Sequence, residues 1–282
     1  MLKKLIDKRN YIILFIIIVL IIVILGTKDR MKEYIKSFDY FDETITMKIY
    51  TDQNMKPIIK NINSIYKKYD DYYNNYYKDK GFQELLRYGN YVYKETDGLV
   101  DISAGKTVDS VKKGQALVFE SDIENPDLEN MNLSVIIDVY ATNRVINYLI
   151  STGIDKYIIN TDGVISTGEG INNEKYSIAL FDQNGKFFDI AYLENTNLVT
   201  KGAADEFKAY MVNVKTGEKI SDKFVIVIDD DLNEANYIAD TLYVMSVKEG
   251  KEFIKRYDAE AYWKVGNKIS TTKGFKKYLK SS

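Results

Sequence analysis

The hydrophobic residues of this chain form one long apolar run near the N-terminus, followed by shorter segments with strand or helix periodicity. The run from Tyr11 to Gly26 contains no charged residue. As a helix rising ~1.5 Å per residue it would reach about 24 Å, close to a ~30 Å bilayer core. Basic residues precede it within positions 1–10, which predicts a cytoplasmic N-terminus. The pattern therefore predicts a single-pass anchor at 11–27 in the cell membrane, with everything after it outside the cytoplasm.

A cleaved signal peptide is the alternative interpretation of this run, because the apolar core of a signal peptide can also span ~15 residues. The residues that follow, Ile-Leu-Gly-Thr-Lys-Asp-Arg at 24–30, contain no small-x-small cleavage pattern. A retained anchor is therefore favoured. Residues 28–40 are charged and are interpreted as a spacer, so that 41–282 form the external domain.

The remainder of the chain alternates between strand and helix patterns. Strand patterns occur at Thr44–Tyr50, Tyr157–Asn160, Phe224–Ile228 and Tyr262–Ser270, and in a hairpin turned by Asn184-Gly185. Helical patterns occur from Pro57, over Gln83–Lys94, over Ala141–Thr152 and after Asp231. The tyrosine-rich tract at 67–81 is interpreted as a solvated helix end. Strands in runs with helices beside them predict an α+β domain with a mainly antiparallel sheet.

The composition narrows the possible chemistry. The chain contains neither His nor Cys, so imidazole catalysis, disulfides and thiolate metal sites are all excluded. Any proton transfer near neutral pH must use a carboxylate, Lys or Tyr. With 28% charged residues and a net charge of −2, the chain offers no electrostatic argument for binding nucleic acid.

Asn236 and Asp240 are the strongest candidates for a metal site. Their i,i+4 spacing places both side chains on one face of the helix that follows Asp231. Two oxygen-bearing side chains one turn apart can hold a hard cation such as Mg²⁺. The alternative is that both residues belong to a solvated stripe of the helix.

Two other groups of residues attract attention and have simpler alternatives. Asp229–Asp231 resembles a metal site, but one of the three is expected to cap the following helix while the others sit in solvent. The segments 160–163, 200–202 and 215–218 combine glycines with small polar residues at strand ends. Such loops allow a phosphate-bearing ligand to approach the backbone, although each is more often an ordinary turn.

Taken in order, seven segments resemble the motifs of the FAD:protein FMN transferases, also called ApbE-type flavin transferases. Asp101 and Gly105 are retained in a stretch similar to G-x-F-D-P-T-V-G, and Ala235–Val244 is similar to A-D-A-L-A-T-A-L-F-V. The other matching segments are Thr44–Tyr50, Tyr140–Asp155, Ile159–Gly163, Val199–Gly202 and Val212–Glu218. The resemblance spans about Phe41 to Lys280.

The same resemblance reveals substitutions at positions that carry charge or need glycine. The family motif D-L-G-G-I-A-K-G-Y-A falls on Asn132–Ala141, where Asp138 replaces the lysine and Val135 and Val139 replace glycines. The family's His falls on Tyr210. The two side-chain Mg²⁺ ligands, Asp and Thr, fall on Asn236 and Asp240.

The resemblance implies a T-fold-like ApbE domain that uses Mg²⁺ and FAD, and a partner flavoprotein that receives FMN on Thr or Ser. It implies that Asn236 and Asp240 bind the metal, and no residue is assigned as catalytic. The implied cofactor-binding residues are Asp101, Asp138, Asp162, Gly163, Thr200, Gly202 and Thr216. Three functions stay open: a divergent transferase, a non-catalytic surface binding or scaffold module, and a protein that holds FAD without transferring FMN.

Overall fold

The structure of the protein is a computed structural model that describes residues 31–75, 79–161, 163–202, 211–221 and 223–280. None of the helices within these ranges is long and apolar enough to cross a bilayer. The predicted anchor at 11–27, together with Asp162 and Tyr210, lies outside the described residues.

An eight-stranded antiparallel sheet forms the centre of the domain, in the order β1-β2-β3-β4-β7-β10-β11-β12. Its strands are β1 (Lys32–Tyr40), β2 (Glu43–Thr51), β3 (Tyr157–Thr161), β4 (Val164–Thr167), β7 (Thr196–Lys201), β10 (Lys223–Asp229), β11 (Glu260–Val265) and β12 (Lys268–Thr271). Two separate hairpins pair β5 (Tyr176–Phe181) with β6 (Phe187–Leu193) and β8 (Met211–Val212) with β9 (Lys219–Ile220). The prediction of an α+β domain with a mainly antiparallel sheet is confirmed.

The described α-helices are α1 (Met55–Asn74), α2 (Lys80–Glu95), α3 (Gly105–Lys112), α4 (Ile137–Ser151), α5 (Leu232–Val244) and α6 (Val247–Phe253). Short 3₁₀ turns occur at Leu128–Asn130, Leu133–Val135, Ile254–Arg256 and Phe275–Tyr278. Helix α5 packs on β10 and β7 and also contacts α4. This arrangement brings the start of α4, the end of β7 and one face of α5 together.

Both faces of the sheet are covered at strand β10, whose apolar side chains point alternately to the two faces. Val225 and Val227 of β10 face the helices and join the larger core, whereas Phe224, Ile226 and Ile228 face the β5–β6 hairpin and join a second core. A strand buried on both faces reads as a continuous apolar run rather than an alternation. This explains why Phe224–Ile228 has no polar position.

Two predictions made from polar composition are wrong: the spacer at 28–40 and the solvated helix end at 67–81. Lys32–Tyr40, placed in the predicted spacer, pairs with β2 along its whole length as strand β1. Its four charged residues are all exposed, as an edge strand tolerates. In the tyrosine-rich tract, Tyr69 and Tyr72 are buried in the core rather than solvated, because they lie on the inner face of α1.

Asp229 is also buried, where β10 ends and α5 begins. Of the three adjacent aspartates, Asp231 caps α5 as predicted, accepting the Glu234 N–H at 3.0 Å. Asp229 accepts the Asp231 N–H at 2.7 Å, so its placement in solvent was wrong. Burial, opposed by that N–H bond and reinforced by Glu234, Asp231 and Asp230, raises the pKa of Asp229 to about 7.

Asp229→Asn should therefore stabilise the domain in a pH-dependent way. Because the folded-state pKa lies above the unfolded value, the folded protein holds a proton that the unfolded chain releases, and stability falls as pH rises from about 4 to about 7. Asn mimics the protonated form and still accepts the Asp231 N–H. We expect a gain of about 1–2 kcal/mol near pH ~8, allowing for solvent screening, and almost none near pH ~4. Urea unfolding at both pH values measures this.

Asp230→Asn is the matched control, because Asp230 is the exposed neighbour on the same turn. It should leave stability nearly unchanged at both pH values. An equal gain from Asp229→Asn at low and high pH would contradict the burial argument.

Candidate functional site

Helix α5 positions the two predicted metal ligands in the interior rather than on a solvated stripe. Asn236 and Asp240 are each 2% exposed. They lie one turn apart on a helix whose residues from Ala235 to Val244 are all buried. The alternative of a solvated stripe is therefore wrong, and two polar side chains must be accommodated in low-dielectric surroundings.

Lys201 meets this requirement for Asp240. Its ammonium Nζ lies 2.8 Å from Asp240 Oδ1, and the Lys201 side chain is 26% exposed. Val199 and Lys201 alternate with Leu198 and Thr200 along β7, so Lys201 points to the same face of the sheet as the helices. The last residue of β7 thus places a cation directly on the buried carboxylate.

Asn236 is oriented by the turn that precedes α4. Its Nδ2 donates a hydrogen bond of 2.9 Å to the backbone carbonyl of Val135. Within the described part of the chain, Asn236 Oδ1 and Asp240 Oδ2 are buried without a hydrogen-bond partner. The site therefore contains two oxygens whose acceptor capacity is unused.

Asp138 and Glu43 add further negative charge around Lys201. We call Lys201, Asp240, Asp138 and Glu43 together the Lys201 cluster. Burial opposes the charge of Lys201, but Asp240, through its charge and hydrogen bond, and then Asp138 and Glu43 outweigh it, so that the pKa of Lys201 is raised. The lysine is therefore protonated, and it faces three carboxyl groups.

The residues present do not fit the Mg²⁺ that the resemblance implies. A divalent cation on Asp240 would have to share the carboxylate with an ammonium already in contact with it. The amide of Asn236 is committed to Val135 through its nitrogen. Among the described residues no group of three or more acidic side chains is arranged to hold a metal ion. We therefore derive no chemistry through a metal here.

Asp101 lies apart from the Lys201 cluster and organises its own loop. Its Oδ1 accepts hydrogen bonds from the Ser103 N–H at 2.8 Å and the Ser103 hydroxyl at 2.7 Å, and its Oδ2 accepts one from Ser121. It also lines a pocket of 160 Å³ together with Val135 and Met211. Because the Val135 carbonyl accepts the hydrogen bond of Asn236, this pocket adjoins Asn236.

Thr200 and Gly163 lie on the opposite face of the sheet. The Thr200 hydroxyl donates to the Gly163 carbonyl at 3.0 Å, and both residues line a pocket of 210 Å³ beneath the β5–β6 hairpin. Asp162 is outside the described residues. The structure therefore separates Thr200 and Gly163 from Asn236 and Asp240.

Thr216 and Gly202 have local roles. Thr216 is exposed in the turn between β8 and β9, where its N–H donates to the Asn213 carbonyl at 3.2 Å. Gly202 follows Lys201 with a φ of +78°, and a Cβ there would lie 2.1 Å from the Lys223 carbonyl oxygen. Gly202 thus lets β7 end against β10 and fixes the backbone that carries Lys201.

Lys201 is the site residue that the sequence analysis missed. The alternation of side chains along the strand could have predicted it. Val199 and Lys201 point to the same face, and the apolar Val199 indicates that this face is buried. The motif comparison offered a second signal. The resemblance matches Val199–Gly202 to the family motif A-T-S-G, which has a neutral serine where this chain has Lys201.

Comparison with solved structures defines the fold as that of the flavin transferases. The chain is similar to flavin transferase ApbE from Vibrio cholerae, with a TM-score of 0.73 at 17% identity over 88% of this chain and 100% of that one. The apo flavinyl transferase ApbE from Pseudomonas stutzeri gives 0.70 at 16% identity, covering 89% and 98%. The ApbE protein from Thermotoga maritima gives 0.72 at 15%, covering 88% and 99%.

The sequence itself identifies the family. The model of the ApbE family matches residues 41–263, and the chain therefore belongs to the ApbE family. No curated protein sequence matches the chain significantly. The resemblance on which the sequence analysis relied is confirmed.

Proposed function

We propose that this member of the ApbE family is FMN transferase-like but does not perform Mg²⁺-dependent FMN transfer, and that it acts as a non-catalytic binding module. We propose further that it is anchored in the cell membrane with its domain outside the cytoplasm. The observation that carries the proposal is the charge of the Lys201 cluster, in which one ammonium faces three carboxyl groups. The apolar run at 11–27 and the basic residues before it support the anchoring.

The charge balance opposes a diphosphate ligand. Cleavage of a pyrophosphate requires positive charge on the phosphates and near the leaving group. Here the ammonium of Lys201 is already paired with Asp240. Each uncompensated carboxylate at ~8 Å from a phosphate costs about 2 kcal/mol at an effective dielectric of ~20. Because ~1.4 kcal/mol is tenfold in affinity, two such contacts would weaken FAD binding by on the order of several hundredfold.

Backbone access is also reduced beside the cluster. Val135 and Val139 stand where the family motif has glycines, and Val139 is buried with 2% exposure. A branched side chain prevents the close approach of a phosphate to the backbone that glycine permits. Crowding and charge therefore act in the same direction.

An active, divergent transferase is the second candidate, and one observation favours it. Asn236 Oδ1 and Asp240 Oδ2, within the described residues, are buried oxygens without hydrogen-bond partners. Oxygens of this kind bind hard cations when no other charge excludes them. The two candidates therefore differ in whether the site binds FAD in the presence of Mg²⁺.

We expect the full-length chain, purified in a mild detergent, to show no saturable binding of micromolar FAD, with or without Mg²⁺. The physical reason is the repulsion between the diphosphate and the carboxyl groups around Lys201. Flavin fluorescence quenching and calorimetric titration measure the binding. FAD binding that requires Mg²⁺ and disappears in Asp240→Ala, with FMN appearing on an acceptor flavoprotein, would restore the transferase and refute the proposal.

Asp138→Lys provides a directional check on the same measurement. Reversing that charge should tighten FAD binding by roughly tenfold or more. It should not produce transfer, because Val135 and Val139 are unchanged. Asp155→Lys is the matched control: Asp155 is an exposed carboxylate outside the Lys201 cluster.

A further inference from the structure

We propose that the Lys201 ammonium is a built-in cation that takes the place of a divalent metal on Asp240, and that its removal would open a metal site formed by Asp240 and Asn236. The inference deepens the proposed function and rests on it for the identity of the site. It concerns cation binding alone, so it can be tested without flavin.

The first step is the position of the charge. Lys201 Nζ is 2.8 Å from Asp240 Oδ1, which is the distance of a direct charge-assisted hydrogen bond. The carboxylate is 2% exposed, so water contributes little to its neutralisation. A buried carboxylate needs a paired charge, and here the chain supplies it.

The second step is that the lysine backbone is fixed. Lys201 pairs with Val225 in the ladder between β7 and β10. The next residue, Gly202, packs so closely that an added Cβ would lie 2.5 Å from a ring carbon of Tyr243. A Mg²⁺ ion approaching Asp240 would therefore meet the ammonium on Oδ1, carried by a side chain that starts from this fixed strand position.

The third step concerns what remains when the ammonium is removed. Asp240 would offer both carboxylate oxygens, and Asn236 Oδ1 lies one helical turn away without a hydrogen-bond partner among the described residues. Asp138 acts electrostatically on both Asp240 and Lys201. A carboxylate, an amide oxygen and a nearby second carboxylate form an oxygen-rich set suited to a hard cation.

The two charges of opposite sign come from different elements. Asp138 lies in the first turn of α4, whereas Lys201 is the last residue of β7. The positive charge of the site is thus supplied by β7, and it contacts the Asp240 carboxylate of α5.

Mn²⁺ binding, measured by the loss of the free Mn²⁺ signal in electron paramagnetic resonance, tests the inference on the full-length chain in detergent. We expect the wild-type protein to bind no Mn²⁺ that depends on Asp240. Lys201→Ser should bind a single Mn²⁺ at least roughly tenfold more tightly, and Lys201→Ser/Asp240→Asn should lose that binding. Lys201→Gln, which removes the charge and keeps more of the side chain than Ser does, is the second variant in case Lys201→Ser does not fold.

Lys156→Ser is the matched control. Lys156 is also partly buried, with 21% side-chain exposure, and lies within 4 Å of the carboxylates of Asp155 and Glu169. Removing it should not create an Mn²⁺ site. If Lys156→Ser gains the same affinity as Lys201→Ser, general loss of positive charge explains the effect and the inference fails.

Wild-type binding, compared with that of Asp240→Asn, decides the matter even if neither Lys201 variant folds. Stoichiometric Mn²⁺ binding by the wild type that Asp240→Asn abolishes would overturn the inference, as would a folded Lys201→Ser or Lys201→Gln that binds no Mn²⁺. The outcome is separable from that of the proposed function. FMN transfer by a wild type that binds no Mn²⁺ at Asp240 would refute the non-catalytic proposal and leave the built-in cation intact.

Discussion

Asp240→Ala is expected to lower the free energy of unfolding by about 3 kcal/mol near neutral pH, a loss typical of removing one partner from a buried ion pair. The variant leaves the Lys201 ammonium facing a cavity, while Asp138 and Glu43 compensate only at longer range. Urea unfolding followed by tryptophan fluorescence measures the change. Trp263, the single tryptophan of the chain, is fully buried and reports on loss of the core.

The double variant Asp240→Leu/Lys201→Met separates the cost of an unpaired charge from the cost of lost packing. Replacing a buried pair by apolar residues of similar volume is often neutral. We therefore expect the double variant to lie within about 1 kcal/mol of the wild type. A double variant as unstable as Asp240→Ala would show that packing around Asp240, rather than an uncompensated lysine, explains the loss.

Gly202→Ala should destabilise the domain by about 3 kcal/mol, through two effects that add. A positive φ, here +78°, costs a residue with a Cβ about 1 kcal/mol. The new Cβ would also lie 2.1 Å from the Lys223 carbonyl oxygen, so that β7 and β10 must separate locally. Such overpacking typically adds about 1–3 kcal/mol. Chemical denaturation of the purified variant tests the sum.

Gly185→Ala isolates the first of these effects. Gly185 has a φ of +69° in the hairpin turn, and no atom lies within 4 Å of the position its Cβ would take. It should cost only about 1 kcal/mol. Equal losses in the two variants would indicate that backbone strain alone determines the effect, and that the contact between Gly202 and β10 can relax.

Periodicity was sufficient to predict most of the sheet, because each strand that is buried on one or both faces carries its own pattern. Thr44–Tyr50 and Phe224–Ile228 differ from the observed β2 and β10 by one residue at each end. Edge strand β1 escaped detection because only Phe38 of its side chains is buried, so that its register with β2 alone defines it. Strand β1 can be recognised only from its pairing with β2, and the sequence of one segment does not show that pairing.

The candidate site was predicted in part, and the limits have a physical origin. Spacing along α5 correctly grouped Asn236 and Asp240, because i,i+4 neighbours share a face in any helix. Their burial depends on α4 and the sheet covering opposite sides of α5, which no local pattern encodes. Lys201 reaches Asp240 through the strand order that places β7 beside β10. A contact between residues 39 positions apart in sequence requires the tertiary structure.

Strand β1 changes the distance over which the protein can act. With the predicted anchor ending at 27, only residues 28–31 separate the bilayer from the sheet, a tether of at most about 14 Å. Tyr40 pairs with Glu43 at the far end of the hairpin from Lys32, which places Glu43, one of the carboxyl groups around Lys201, roughly 27 Å along the strand from the tether. A domain held by the predicted anchor would search a thin layer above the membrane surface. We therefore expect it to encounter molecules that are themselves membrane-bound or that diffuse within that layer.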